Sequence, residues 1–88
     1  MQENEECYFC KKKNDLVIHH VFSGTANRKI SEREGFKVWL CPYHHNMSNN
    51  SVHHNRQMDL VLKRKCQLEY EKNHTREEFI KLIGKSYL

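Results

Sequence analysis

The chain has 88 residues, which is enough for one small domain and leaves no room for a second. Only 38% of the residues are apolar and 30% are charged, so a thick hydrophobic core is excluded and we expect disulfides or a bound metal to stabilise the fold. Three glycines and one proline exclude collagen-like chains, and no apolar run approaches the roughly 18 residues of a membrane span. The acidic start MQENEEC lacks the pattern of a secretion signal. We therefore expect a soluble, cytoplasmic protein, in which paired cysteines bind metal more often than they form disulfides.

The net charge is +4, from 15 Lys and Arg against 11 Asp and Glu. This is less basic than a purely electrostatic DNA-binding protein. Basic residues recur in three clusters, at residues 11–13, at Arg28 and Lys29, and at residues 63–65. Each cluster is either a solvated surface or, where it surrounds a reactive site, a contact for phosphates.

Two short apolar segments in the first half of the chain predict a β-hairpin. Residues 16–22 are β-branched and apolar apart from two histidines, which is typical of a strand. Residues 23–35 predict a polar connection, in which a helical turn near Ser31 to Glu34 is compatible with the sequence. Residues 36–40 predict a second strand, and the two strands are expected to pair antiparallel.

The last third of the chain predicts two structural helices. The first is indicated by apolar residues at three- and four-residue steps: Met58, Val61, Leu62, Cys66 and Tyr70. Ser51 is its expected N-cap. The second helix is expected to begin at Thr75, because Thr75-Arg76-Glu77-Glu78 matches the S/T-x-x-E capping box. Gly84 suits the position after its end, and its expected buried face is Phe79, Leu82 and Ile83.

Four residues form two half-sites for a metal ion, Cys7-x-x-Cys10 and Cys41-x-x-His44. A two-residue spacer lets one backbone turn direct both side chains at one ion, and a Cys₃His set satisfies tetrahedral zinc. The interval between the half-sites must then enclose the first strand and the connection. A redox role for the first cysteine pair is the alternative, but no βαβ pattern accompanies it. Cys66 lies on the apolar stripe and is expected to be a buried thiol.

Seven histidines are an unusual number for 88 residues. Consecutive residues of an ideal strand point to opposite faces, so only one of His19 and His20 can lie in a core. By the same argument, His45 turns away from the zinc if His44 turns toward it. We therefore expect a chemical role for a second cluster: His19, His20, His45 and His53. Structural roles are expected for His54 and His74.

The combined pattern resembles the HNH, or ββα-metal (His-Me finger), endonuclease family. The pattern consists of Cys-x-x-Cys, His-His at the end of a strand, Leu-Cys-x-x-His-His-Asn and a following His. The wider stretch, with HHVFSGTANRKISEREG and VWLCPYHHNMS, is most similar to small bacteriophage and prophage HNH proteins. The resemblance covers residues 7–56. It implies an α+β fold in one domain, 1–88, with a small zinc-stapled ββα-metal core at 7–56 and two C-terminal α-helices in an extension at 57–88.

The resemblance also implies a role for each histidine of the second cluster. In HNH nucleases the first strand ends in Asp-His or His-His, of which the first residue binds the catalytic divalent metal and the second is the general base that activates water. These roles fall to His19 and His20. The histidine beside the last zinc ligand, here His45, is a second ligand of the catalytic ion. His53 is the best match for the third ligand of this ion. His54 would take its place if the register of the following helix differed by one residue.

Two features depart from the family pattern. His53 follows His45 by eight residues instead of about one helical turn, so residues 46–52 must loop out. The asparagine of the HNH name usually precedes the Leu-Cys strand, where this chain has Gly35-Phe36. Its orienting role is left to Asn27 or Asn46.

The function implied by the resemblance is metal-dependent DNA endonuclease activity in phage DNA recombination, processing or packaging. A neutral histidine can accept a proton from water at cellular pH, and a divalent ion (Mg²⁺, Mn²⁺, Ni²⁺ or Zn²⁺) stabilises charge on the leaving 3′ oxygen. Flanking phosphates are expected to contact five basic residues: Arg28, Lys29, Lys63, Arg64 and Lys65. DNA structure rather than base sequence is the expected target. A homodimer or a larger phage or host protein partner would let so small an enzyme cover it.

Two alternatives remain open from the residues alone. One is a zinc-stapled module that binds DNA or protein without catalysis, which would keep its function without His20. The other assigns every cysteine and histidine to one or two structural zinc ions, in which case His19, His45 and His53 would each be needed for folding.

Overall fold

The computed structural model describes residues 2–88. Its regular elements include a two-stranded antiparallel hairpin and three α-helices. The elements in chain order are β1 (Val17–His20), α1 (Thr25–Glu34), β2 (Lys37–Leu40), a π-helical turn (Tyr43–Met47), α2 (Arg56–Tyr70) and α3 (Arg76–Ile83). The predicted α+β class, the hairpin and the two C-terminal helices are confirmed. Within residues 2–88, no helix combines the length and the apolar character that crossing a bilayer requires.

The register of the hairpin decides which face each strand histidine takes. His19 pairs with Val38 and His20 pairs with Lys37 across the two strands. Side chains alternate between the faces of a strand. His19 is 8% exposed and Val38 is 2% exposed, so this pair lies on the inner face. His20 and Lys37 share the outer face, as the alternation in the sequence predicts.

Helix α1 replaces the irregular connection that the sequence predicts between the strands. Its fully buried residue is Ser31, whose hydroxyl donates to the Phe22 carbonyl (3.0 Å) and accepts from the Phe22 amide (3.2 Å). Because a hydroxyl anchors this helix to the core, hydrophobic periodicity does not reveal it. The helix ends at Gly35, which adopts the left-handed conformation (φ 76°) and donates its N–H to the Ser31 carbonyl. Glycine is the residue type that most often takes this position.

The N-cap of α2 is Asn55, and the prediction of Ser51 is wrong. The Asn55 side-chain oxygen accepts hydrogen bonds from the amides of Gln57 (3.0 Å) and Met58 (3.3 Å). Ser51 is buried in the preceding loop, where its hydroxyl donates to the Ser48 carbonyl (2.7 Å). Serine and asparagine suit both loops and caps, so residue type alone does not separate the two positions.

Phe79 of α3 joins the C-terminal helices to the hairpin region. Its side chain is 0% exposed, and its ring centre lies 5.6 Å from that of Phe22 and 6.4 Å from that of Phe36. The predicted capping box holds the start of this helix. Thr75 Oγ1 accepts from the Glu78 amide (3.1 Å), and the Glu78 carboxylate accepts from the Thr75 amide (2.9 Å).

A buried glutamine in α2, which the apolar pattern does not include, fixes the C-terminal tail. Gln67 is 0% exposed. Its side-chain oxygen accepts from the Tyr87 amide (2.7 Å), and its Nε2 donates to the Glu71 carboxylate (2.7 Å) and the Ser86 hydroxyl (3.0 Å). The amide is satisfied in the core, and the Tyr87 ring packs 5.5 Å from that of Phe22.

Candidate metal centres

The predicted Cys₃His cluster is present. The ligand atoms of its members lie within 4.8 Å of one another: Cys7, Cys10, Cys41 and His44. Cys10 Sγ is 3.7 Å from Cys41 Sγ, and His44 Nδ1 is 3.4 Å from the same sulfur. Two sulfurs about 2.3 Å from a tetrahedral ion are about 3.8 Å apart, so these separations match the edges of a zinc tetrahedron. The four residues are positioned to bind a metal ion, and the donor set is compatible with structural zinc.

The first half-site is a tight turn that docks on the hairpin. The Lys11 amide donates to the Cys7 carbonyl (2.9 Å), and the Cys7 amide donates to the Lys12 carbonyl (2.8 Å). Lys11 takes a positive φ of 67°, which reverses the chain. The Tyr8 amide donates to the Trp39 carbonyl of β2 (2.9 Å), so the turn and the strand that leads to Cys41 are held together.

The environment of Cys7 favours a thiolate, the form in which cysteine binds metal. Burial raises the pKa of this thiol, but hydrogen bonds from backbone amides, including those of Cys10 and Cys41, outweigh it and lower the pKa to about 6. Cys66 is the opposite case, because burial raises the pKa of its thiol to about 12. Cys66 is 0% exposed, in agreement with the predicted buried thiol, and all four cysteines are free.

Three imidazoles form a second cluster: His19, His45 and His53. His45 Nε2 and His53 Nε2 are 3.1 Å apart, and the His19 ring centre lies 5.6 Å and 5.3 Å from theirs. His19 Nε2 is buried and has no hydrogen-bond partner within residues 2–88. Buried polar atoms nearly always have a partner, so this nitrogen is available to a ligand from outside the chain.

The surroundings of two of these imidazoles, those of His19 and His45, favour the neutral form. Burial, followed by the neighbouring His53 and His45, lowers the pKa of His19 to about 4. Burial also lowers the pKa of His45. Neutral imidazole is the form that binds metal ions. Nitrogens about 2.0–2.1 Å from a tetrahedral ion are about 3.3–3.4 Å apart, close to the 3.1 Å between His45 and His53, so these residues fit a divalent ion.

One turn of backbone delivers two consecutive histidines to the two clusters. The Cys41 carbonyl accepts hydrogen bonds from the amides of both His44 (3.1 Å) and His45 (2.9 Å). His44 belongs to the Cys₃His cluster and His45 to the second one. The sequence predicts this divergence from the alternation of a strand, whereas the structure produces it in the π-helical turn that follows β2.

Residues 46–52 form the predicted loop between His45 and His53. Its ends are held by the Val52 amide, which donates to the His44 carbonyl (2.8 Å), and by the His53 amide, which donates to the His45 carbonyl (3.3 Å). The chain therefore returns to the point where it left the turn. This return places His53 beside His45 in spite of the eight-residue spacing.

An open cleft borders the second cluster. Besides the three imidazoles, its lining includes His20, Ser23 and Arg28. Lys29 lines an adjoining groove together with His20 and Arg28. Two of the five basic residues predicted to contact phosphate are thus beside the histidine predicted to be the base.

The other three predicted DNA-binding residues do not line this cleft. Lys63 pairs with Asp59 at 2.6 Å, and its side chain is only 12% exposed. Arg64 donates to the Tyr87 carbonyl (3.3 Å), and Lys65 lines a separate groove. The i,i+4 spacing of Asp59 and Lys63 on α2 favours an ion pair, a signal that a count of basic residues misses.

The predicted orienting asparagine also lies away from the cleft lining. The side-chain Nδ2 of Asn27 donates to the Ile83 carbonyl (3.3 Å) and so connects α1 to the end of α3. Asn46 is exposed in the π-helical turn. Of the remaining histidines, His54 is exposed outside the cluster, and the His74 ring stacks on a tyrosine of α2 at 4.0 Å.

Sequence reasoning missed a carboxylate that contacts His20. Glu32 Oε2 lies 2.7 Å from His20 Nε2, and Glu32 Oε1 accepts from Lys37 Nζ at 2.8 Å. An irregular connection over 23–35 gives Glu32 no defined direction. A helix over 25–34 would have placed it on one face with Arg28, four residues earlier.

No family model, curated protein or solved structure matches the chain. The class is therefore defined by the geometry of the chain itself: a small α+β protein with a Cys₃His cluster positioned for a metal ion. The histidine trio adjoins this cluster through the backbone, because its member His45 directly follows His44.

We expect Cys41→Ser to lose one equivalent of tightly bound zinc and most of the cooperative thermal transition, because zinc binding and folding are coupled in small domains. Cys66→Ala, which removes a thiol outside the cluster, should retain the zinc. Elemental analysis and thermal melts with and without chelator measure both effects. An unchanged zinc content and melting curve for Cys41→Ser would contradict the assignment.

Proposed function

We propose that the protein is a metal-dependent endonuclease of HNH type that hydrolyses phosphodiester bonds in DNA. The observation that carries the proposal is the convergence of an imidazole trio, a candidate base and an arginine on one open cleft: His19, His45, His53, His20 and Arg28. The buried Nε2 of His19, which has no hydrogen-bond partner among residues 2–88, supports the presence of a ligand in the trio. The order of these groups along the chain is the one that the family resemblance implies.

The trio suits a transition-metal ion. A divalent ion held there would stabilise negative charge on the phosphate and on the leaving 3′ oxygen. Imidazole donors favour zinc and nickel, whereas magnesium prefers oxygen ligands. The exposed position of His53 leaves one side of the trio open toward a substrate phosphate.

His20 is the proposed general base. The water oxygen bonds to phosphorus as the bond from phosphorus to the 3′ oxygen breaks. The water proton passes to His20, and the 3′ oxygen takes its proton from solvent, which leaves a 5′ phosphate and a 3′ hydroxyl. Arg28, beside His20 in the cleft, and Lys29 in the adjoining groove would hold flanking phosphates.

The proposed setting is phage DNA recombination, processing or packaging, with DNA structure rather than sequence as the target. Only Arg28 and Lys29 of the five predicted basic residues lie beside the cleft and its adjoining groove. Affinity for DNA rises with the number of phosphates that are neutralised. A second copy of the chain or a larger phage or host protein would therefore supply further contacts.

A zinc-stapled module that binds DNA or protein without catalysis is the second candidate. The observation in its favour is the position of Asn27, whose amide is bonded to the Ile83 carbonyl. No asparagine within residues 2–88 lines the cleft. In the described part of the chain, the orienting asparagine of the family therefore has no counterpart beside the trio.

Nicking of supercoiled plasmid separates the two candidates. With Mg²⁺, Mn²⁺, Ni²⁺ or Zn²⁺ supplied in parallel, we expect the wild-type protein to nick and His20→Ala to be slower by at least about a hundredfold, the usual loss when a general base is removed. His74→Ala, which alters a histidine stacked outside the cleft, should keep full activity. Cleavage that is undiminished in His20→Ala contradicts the assigned base. Wild-type protein that binds DNA and nicks it with none of the ions supports the binding module.

The adjacent pair His53 and His54 tests the ion site itself. We expect His53→Ala to weaken the binding of a second, exchangeable Ni²⁺ ion by more than about tenfold, since it removes one of the three imidazoles. His54→Ala should bind Ni²⁺ as the wild type does. Calorimetric titration of the zinc-loaded proteins measures the affinity, and thermal melts check the fold. If His53→Ala unfolds with zinc bound, the trio is structural and the proposed ion site is wrong.

A further inference from the structure

The outer face of the hairpin carries a side-chain arrangement that the proposed mechanism does not yet use. His20 on β1 and Lys37 on β2 are directly opposite each other in the register. Glu32 reaches both from α1, with one oxygen 2.7 Å from His20 Nε2 and the other 2.8 Å from Lys37 Nζ. The connecting helix therefore places one carboxylate across a cross-strand pair.

The hydrogen bond to Glu32 determines which nitrogen of the neutral His20 ring carries the proton. Lys37 and then His20 lower the pKa of the Glu32 carboxyl, so it is ionised at neutral pH and can only accept hydrogen bonds. A neutral His20 must therefore carry its proton on Nε2. The other ring nitrogen, Nδ1, then has a free lone pair, and it has no hydrogen-bond partner within residues 2–88.

We propose that Glu32 is a positioning residue for His20: its carboxylate holds the imidazole with Nε2 as the donor and leaves Nδ1 as the atom that accepts the proton of the attacking water. This inference rests on the proposed function, in which His20 is the base. The carboxylate takes over the orienting task that the family gives to an asparagine. It does so from a different element, the helix between the two strands.

The carboxylate also contributes to the reaction through its charge. When the water proton reaches Nδ1, the ring becomes an imidazolium with protons on both nitrogens. The Glu32 carboxylate stays ionised and takes no proton. Its attraction for the ring grows as the positive charge develops, which stabilises the transition state more than the resting state.

The kinetic test compares two glutamates of the same helix in plasmid nicking. Glu32→Ala should lower kcat by about ten- to a hundredfold with KM little changed, the usual effect of losing a partner that orients a histidine. Glu32→Gln keeps a hydrogen-bond acceptor without the charge and should fall between Glu32→Ala and the wild type. The control is Glu34→Gln, whose carboxylate pairs with Arg33 instead (3.1 Å) and whose kcat should be unchanged. A Glu32→Ala enzyme with wild-type kcat, or one that loses activity only through KM, would overturn the proposal.

A second measurement tests the positioning without any cleavage. Heteronuclear NMR of zinc-loaded protein with isotope-labelled histidine reports which ring nitrogen of His20 carries the proton. We expect the Nε2–H tautomer in the wild type and in Glu34→Gln, and a mixture of tautomers in Glu32→Ala. An Nδ1–H tautomer in the wild type, or no change in Glu32→Ala, would overturn the role of Glu32. If none of the metal ions supports nicking but the tautomers are the expected ones, the nuclease proposal fails while the positioning of His20 by Glu32 stands.

Discussion

The carbonyl of Cys41 accepts hydrogen bonds from the amides of both His44 and His45, and the relation between the two candidate metal centres depends on that turn. His44 completes a cluster whose other donors are thiols, whereas His45 joins a cluster made only of imidazoles. The two centres therefore share one short stretch of backbone. Because His44 and His45 are bonded to the same carbonyl, we expect a change that loosens the Cys₃His cluster to displace His45 as well.

The rest of the fold supports this turn from both sides. A hairpin with four residues in each strand is marginal in water by itself. Here the Cys7 turn docks on β2 through Trp39, and an aromatic group around Phe22 and Phe79 holds the far end. In a chain with so small a core, a bound metal is an economical way to hold these parts together. The hairpin in turn presents His19 on its inner face and His20 on its outer face.

The features that could be predicted depend on a few neighbouring residues. The cysteine half-sites, the capping box at Thr75 and the strand alternation are of this kind. Helix α1 could not be found from periodicity, because its buried anchor is the Ser31 hydroxyl, bonded to the backbone of Phe22. The contact of Glu32 with His20 depends on that helix, so the sequence does not reveal it either. Lys63 is a similar case. A count of basic residues makes it a candidate for DNA contact, whereas in the structure its ammonium group is paired with Asp59.

We propose that consecutive histidines of one turn serve two different metal centres. A crystal structure of the protein loaded with zinc and then with nickel, with anomalous maps measured on either side of both absorption edges, tests this proposal. We expect one zinc ion bound by Cys7, Cys10, Cys41 and His44, and a separate nickel ion bound by His19, His45 and His53. A map with a single ion that takes both His44 and His45 as ligands, or with no ion at the imidazole trio, would contradict it.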